Sequence, residues 1–277
     1  MWTESGPNIS GGSGSLSVYY GGGVFNGHFY TGQLSYGPLA YSSRQLVGTA
    51  LVHDYDCLLH EPELDPTRRG TRCSTLIGNY IFWNNNDGIL HRLESTWSNN
   101  VRVDGHGGFG GGFEGITTNG TDIFVGHRDS GVRNIIKRYS INNQANSFSI
   151  TEVATITLPA STRFRALSYY EPADAVYVVD SESGKGIYEI DVASGTYTLL
   201  GTHVGSGGYQ AVRYNDKILV VGTDDMLTVY DFTGGTLGSS TIYPLYQGDL
   251  YGLGVVGNGT EVIGFWVTSG GKISYFA

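Results

Sequence analysis

Long apolar runs, helical patterning and clustered positive charge are missing from this sequence, and each absence argues against a class of protein. No apolar run approaches the roughly 20 residues of a membrane-spanning helix. No stretch keeps a 3.6-residue apolar period with helix caps, so we expect almost no helix. Lysine is scarcer than arginine, and a net charge of −9 over 277 residues argues against a general nucleic-acid binder.

The first residues also lack the basic and apolar segments of a secretory signal peptide. Two alternatives follow from this. Either the chain is made in the cytosol without a signal, or a signal has been removed and a start methionine added.

Cysteine is scarce too, since Cys57 and Cys73 are the only two. A disulfide between them would clamp the intervening loop and stabilise the fold by roughly 3 kcal/mol on the chain-entropy model. Two reduced thiols are the alternative if the protein stays in a reducing compartment.

The sequence does contain a repeated pattern of short strands. The clearest copy, residues 114–141, gives a strand, a turn at Asn119 and Gly120, a second strand, a polar loop and a third strand. The third strands of successive copies start about 40–50 residues apart, which is the spacing of β-propeller blades. The 43 glycines suit the many tight turns that such a fold needs.

We therefore predict an all-β fold, a β-propeller of about six four-stranded blades in a single domain over residues 1–277. Residues 1–12 are predicted to be a flexible N-terminal segment. Residues 13–21 are predicted to be a strand that closes the ring by pairing with the last blade, which removes an exposed sheet edge. A sandwich or solenoid built from the same hairpins is the alternative.

Polar residues recur between the predicted second and third strands of four blades. Such loops emerge on one face of a propeller, so they predict an oxygen-rich rim that suits sugar hydroxyls or a calcium ion. Asparagine and aspartate also simply suit tight turns, and this plainer interpretation is favoured because the loops vary in length. The rim residues are Asn84, Asn86, Asp87, His127, Arg128, Asp129, Asp180, Glu182, Asp224 and Asp225.

The densest charged segment, residues 53–72, is predicted to be an insertion between blades 1 and 2. Long excursions on a rigid scaffold commonly carry partner contacts. Its histidine and cysteine residues do not have a standard zinc arrangement, so we predict no metal site there. The alternative to a partner contact is internal pairing of its acidic and basic halves. The partner-binding candidates are Asp54, Asp56, His60, Glu61, Glu63, Arg68 and Arg69.

Catalytic motifs are not evident. The glycine-rich segment 104–114 is not followed by a helix pattern, which disfavours a phosphate-binding loop. No Ser-His-Asp order, Cys-His pair or metalloprotease motif stands out. We therefore predict that the protein is not an enzyme and needs no cofactor, with calcium as the one ion that the rim would suit.

The unit that runs from Gly115 to Val125 and continues from Ile136 to Ile141 resembles the repeat of the NHL and YVTN-like propellers. The likeness extends from blade 2, which is predicted at residues 72–103, to the end of the sequence. It implies ligand binding on one face and, in many members, scaffolding of proteins or nucleic acids. The net negative charge of this chain disfavours a nucleic-acid-binding role.

Three hypotheses about function follow, in order of preference. The first is a structural and binding propeller inside a larger assembly, such as the tail nozzle or receptor-binding component of a phage virion, with other protein subunits as partners. The second is a lectin-like module that binds a host-surface glycan. The third is an extracellular metal-dependent hydrolase or lyase. We expect a virion or extracellular location after assembly, without membrane insertion.

Overall fold

The computed structural model describes a nearly all-β chain. The described residues are 4–5, 18–25, 28–34, 40–47, 50–58, 71–78, 80–85, 90–94, 112–129, 132–144, 147–182, 185–222, 224–245, 250–257, 262–269 and 272–276. Within them, the one helical element is a 3-10 turn at Glu171–Ala173. No helix in this part of the chain is both long and apolar enough to cross a membrane.

The strands of the described residues form six antiparallel sheets, which we number in chain order. Sheet 1 contains β2 (Val18–Phe25), β3 (His28–Leu34), β4 (Ala40–Val47) and β5 (Ala50–Leu58). Sheet 2 contains β6 (Thr71–Ile77), β7 (Tyr80–Asn85) and β8 (Leu90–Glu94). Sheet 3 contains β9 (Gly112–Thr118), β10 (Asp122–Asp129), β11 (Val132–Gln144) and β12 (Ser147–Thr157).

The remaining sheets follow the same up-and-down order. Sheet 4 contains β13 (Ser168–Tyr170), β14 (Ala175–Val179), β15 (Gly186–Asp191) and β16 (Tyr197–Thr202). Sheet 5 contains β17 (Gly208–Tyr214), β18 (Lys217–Gly222), β19 (Met226–Thr233) and β20 (Thr236–Pro244). Sheet 6 contains β21 (Leu250–Gly257), β22 (Val262–Ser269), β23 (Lys272–Phe276) and β1 (Glu4–Ser5).

Neighbouring sheets pack face to face through their first strands. Each of β2, β6, β9, β13 and β17 contacts the first strand of the next sheet, and β21 contacts β2. Four-stranded antiparallel sheets that follow one another in this way have the architecture of a β-propeller. The predicted all-β propeller class is therefore confirmed.

Strand β14 shows why the central sheets are buried on both faces. All five of its residues are buried. Val176 and Val178 pack into the core between sheets 3 and 4, while Ala175, Tyr177 and Val179 pack into the core between sheets 4 and 5. Successive side chains of a strand point to opposite faces, so an unbroken apolar run is what a sheet between two neighbours requires.

The strand beside β23 is not the one that the sequence predicts. Glu4 and Ser5, from the predicted N-terminal segment, pair with Phe276 and Tyr275. Residues 18–21 of the predicted closing strand belong instead to β2, which pairs with β3. The sequence pattern of segment 13–21 shows no partner strand nearby, but β3, which begins at His28, supplies one.

The predicted insertion at residues 53–72 overlaps two strands. Residues 53–58, which include Asp54 and Asp56, lie in β5, and residues 71–72 lie in β6. The other partner-binding candidates, His60, Glu61, Glu63, Arg68 and Arg69, lie outside the described residues. Their role in binding stays a prediction.

Candidate functional site

One end of sheet 4 brings together three loop segments. The β14–β15 loop at 180–185 contacts the connection that enters sheet 4 at 158–167 through an ion pair between Glu182 and Arg163. It contacts the connection that leaves sheet 4 at 203–207 through Lys185, whose Nζ donates to the carbonyl of Gly205 at 2.7 Å. The loop between the second and third strands therefore bridges both connections.

Asp180 holds the first of these contacts from inside the protein. Its side chain is almost completely buried, with 1% of the residue exposed. Oδ1 accepts the backbone N–H groups of Arg163 at 3.0 Å and Glu182 at 3.1 Å. A buried carboxylate is stable when it is hydrogen-bonded in this way, so Asp180 ties the loop to the connection.

Asp224 has the same role one sheet later. Its Oδ2 accepts the backbone N–H of Ser206 at 2.8 Å. The acidic residues that sequence analysis placed on a ligand-binding rim thus include two that bind the protein's own backbone. Each has fewer lone pairs left for a sugar hydroxyl or a cation.

The other rim residues lie at several places in the fold. His127 is buried in β10, where its Nε2 lies 3.1 Å from the hydroxyl of Tyr139. Asp225 has a positive φ of 56°, and its carbonyl accepts the N–H of Leu245 at 2.9 Å. Asn84 lies in β7, and Arg128 and Asp129 lie in β10. Asn86 and Asp87 lie outside the described residues.

No group of three potential metal-ligating side chains occurs within the part of the chain that the structure describes. Calcium binding by the rim stays a prediction.

A buried ion cluster was missed in the sequence. Glu114, at the start of β9, lies 3.3 Å from Nε of Arg133 and 3.6 Å from Nη1 of Arg165. The Arg165 guanidinium lies over the ring of Tyr209 at 5.8 Å, which is within cation–π range. A glutamate inside a predicted inner strand was the available indication, because buried carboxylates require cationic partners.

Val204 is the exposed apolar side chain in this region. It lies in the 203–207 connection with 58% of its surface accessible, yet its backbone is fixed because its N–H donates to the Tyr230 hydroxyl at 2.8 Å. We define the sheet 4 face as the surface formed by Arg163, Glu182, Lys185, Val204 and Ser206.

The charged pair on this face is open to solvent. Arg163 and Glu182 are joined at 2.9 Å, with 46% and 38% of their side chains accessible. The Ser181 N–H donates to the Arg163 carbonyl at 2.7 Å, which holds the backbone beneath the pair. The face therefore combines one apolar side chain, both signs of charge and a fixed backbone.

Comparison with known proteins supports the fold. No protein-family model matches the chain, and no curated protein sequence matches it significantly. Among solved structures, it is similar to the WD40 domain of Neurospora crassa Pan2, with 11% identity, 99% coverage of this chain, 94% of that chain and a TM-score of 0.63. It is also similar to the WD40 β-propeller domain of Doa1, with 11% identity, 100% and 97% coverage and a TM-score of 0.64.

A third similar structure is a chain of the mitotic checkpoint complex, with 12% identity, 90% coverage of this chain, 73% of that chain and a TM-score of 0.59. At these identities the likeness concerns the fold alone, which is that of a β-propeller. The named propellers are WD40 domains, so these neighbours do not support the predicted NHL or YVTN repeat type.

Proposed function

We propose that this chain is a non-catalytic, protein-binding propeller that works within a larger assembly, and that the sheet 4 face contacts a protein partner. The observation that carries the proposal is Val204, an apolar side chain held in solvent on a fixed connection beside the Arg163–Glu182 pair. Protein interfaces typically combine an apolar centre with a polar rim.

The hydrogen bonds of the acidic residues to the propeller's own backbone support a protein partner over a glycan. Asp180, Asp224 and Asp225 belong to the rim that was predicted to suit sugar hydroxyls. Two of these carboxylates accept backbone N–H groups within the propeller. The outward-facing groups of the same region are instead Arg163, Glu182 and Val204, which suit a protein surface with matching charges.

One of the similar structures adds a weaker line of support. It is a mitotic checkpoint complex, an assembly in which a propeller of this fold occurs with other proteins. A propeller fold by itself hosts many functions, so the proposal for this chain depends on the sheet 4 face.

The proposal predicts that Val204→Asp removes the partner. A buried valine contributes about 1.5 kcal/mol or more to an interface, and an uncompensated carboxylate adds a desolvation cost. We expect at least about tenfold less partner to be recovered. The measurement is quantitative mass spectrometry after affinity purification of the tagged chain from its natural source, with the proteins cross-linked before lysis.

Ile242→Asp is the matched control, because Ile242 is 46% exposed and lies on β20, the outer strand of sheet 5. The same proteins should be recovered with this control as with the unchanged chain. Equal loss in both variants, or no loss with Val204→Asp, would contradict the proposal.

The narrower proposal, a component of a virion tail, rests on the sequence composition. It predicts that the chain is found in purified virus particles at a fixed ratio to the other structural proteins. Absence from such particles would overturn this narrower form and leave the protein-binding proposal in place.

A further inference from the structure

His203 occupies a position that is apolar in the neighbouring sheets. Its N–H donates to the Lys185 carbonyl at 2.7 Å, and the N–H groups of Leu158 and Leu245 make the equivalent bonds at 2.8 and 2.9 Å. All three side chains are buried. The repeat therefore accepts leucine at this position, and an imidazole here is not required for packing.

The hydrogen bonds of Tyr230 fix the tautomer of this imidazole. The tyrosine hydroxyl accepts the Val204 N–H at 2.8 Å and lies 2.8 Å from Nδ1 of His203. If the hydroxyl donates its hydrogen to Nδ1 while it accepts the Val204 N–H, both hydrogen bonds are satisfied. The opposite arrangement would leave a buried O–H without an acceptor among the described residues, which costs free energy. The neutral Nε2–H tautomer satisfies this hydroxyl, and it places its own N–H on the side of the imidazole that faces the Asp224 carboxylate.

The other side of the imidazole faces the carboxylate of Asp224. Nε2 of His203 and Oδ1 of Asp224 are both buried, and neither has a hydrogen-bond partner in the described part of the chain. A Cβ on Gly205 would overlap both Nε2 of His203 and Oδ2 of Asp224. Glycine at position 205 thus keeps open the space in which the imidazole and the carboxylate face each other.

Protonation of His203 disrupts this arrangement. A second N–H, on Nδ1, must donate to the Tyr230 oxygen, so the tyrosine hydrogen loses its acceptor. The charged and polar groups facing the imidazole are Lys185 from the β14–β15 loop, Asp224 from the β18–β19 loop and Tyr230 from β19. Burial lowers the pKa of His203 below its usual value, the Asp224 charge opposes this, and Lys185 adds to it.

We propose that His203 is an acid-sensitive latch, which holds the 203–207 connection against sheet 5 at neutral pH and releases it when the imidazole is protonated. Val204 moves with this connection, so acidification changes the sheet 4 face. The consequence for partner binding rests on the proposed function. The release itself is a property of the chain alone and is measured without a partner.

The direction of the pH dependence follows from the lowered pKa of His203 when the 203–207 connection is closed. In the open connection the imidazole titrates near its ordinary value of about 6.5, so the open form binds more protons as the pH falls. The latch is fully effective above that value. It is lost progressively as the pH falls toward the lower pKa of the closed form.

Hydrogen–deuterium exchange of the 202–208 segment tests the latch. Protection relative to intrinsic rates is compared at about pH 7.5 and about pH 5, which bracket histidine titration. We expect protection of the Val204 and Ser206 amides to fall about tenfold or more at the lower pH in the unchanged chain. The 158–164 connection, which has Leu158 at the equivalent position, is the internal control and should keep its protection.

Two variants separate the latch from general acid sensitivity. His203→Leu introduces the leucine that occupies the equivalent position in sheets 3 and 5. This variant should keep the segment protected at both pH values. Asp224→Asn keeps an oxygen for the Ser206 N–H but removes the charge that favours protonated His203. It lowers the pKa of the closed form further, and should therefore deepen the loss at low pH. No loss in the unchanged chain, an equal loss in His203→Leu or a smaller loss in Asp224→Asn would overturn the proposal.

Discussion

Gly222→Ala is expected to destabilise the protein by about 3 kcal/mol or more, the upper range for forcing atoms into a packed interior. Gly222 ends β18 and pairs with Gly208, the first residue of β17. A Cβ at this position would overlap the carbonyl oxygen of Gly207 and lie 2.8 Å from its carbonyl carbon. Both obstacles belong to the backbone, so no side-chain rotation relieves the overlap.

The substitution at Gly222 also displaces backbone at the sheet 4 face. The backbone that must move is the end of the 203–207 connection, which carries Val204. Gly222→Ala should therefore lower the free energy of unfolding in denaturant titration and also increase hydrogen exchange in this connection.

Gly120→Ala is the control for this experiment. Gly120 has a φ of 93°, and nothing lies within 4 Å of a Cβ placed there. Its replacement adds backbone strain without a clash, which costs about 1 kcal/mol. Equal destabilisation by the two variants would show that steric contact at Gly222 is not the cause.

Glu114→Ala is expected to cost about 3–5 kcal/mol, because it leaves the cationic partners of a buried ion cluster without their carboxylate. Glu114 is 2% accessible at its side chain, and that of Arg133 is 11% accessible. Arg165 would also lose its nearest carboxylate, at 3.6 Å. A guanidinium group cannot release its proton to avoid the cost.

Glu152→Ala is the matched comparison, since it removes an exposed glutamate from the same sheet. The Glu152 carboxylate lies 2.7 Å from Lys137 Nζ, but 43% of its side chain is accessible. Such exposed pairs contribute about 0–1 kcal/mol and are screened by salt. Chemical denaturation of both variants measures the difference, and a Glu114→Ala cost as small as that of Glu152→Ala would contradict the assignment of a buried cluster.

The strand repeat was predictable from sequence because each unit is local. The turn between β9 and β10 is an example, since the side chain of Asn119 accepts the N–H groups of Thr121 at 3.1 Å and Asp122 at 2.8 Å. Asparagine and glycine favour such a turn on their own. The all-β propeller class followed from several copies of this pattern.

The pairing at the end of the chain was not predictable in the same way. Strand β1 is only two residues long, Glu4–Ser5, so it has no alternation to detect. It is defined by its contact with β23, which comes from the other end of the sequence. Residues 13–21 were predicted to be a strand, but a strand pattern alone does not identify the partner strand.

The candidate site was predicted only in part, for a related reason. The positions of Asp180 and Asp224 in loops between second and third strands were recognised. Their bonds to the N–H groups of Arg163 and Ser206 depend on the packing of successive sheets. His203 and Val204 carried no motif, and they became informative only through burial, exposure and their shared contact with Tyr230.

The most direct test of a protein-binding sheet 4 face is chemical cross-linking with an amine-reactive reagent in the setting where the protein naturally occurs. Lys185 lies on this face, and Lys217 lies beside the β17–β18 turn at the opposite end of sheet 5. A protein-binding sheet 4 face predicts cross-links to another protein from Lys185 and few from Lys217. Intermolecular links from Lys217 without any from Lys185 would contradict it.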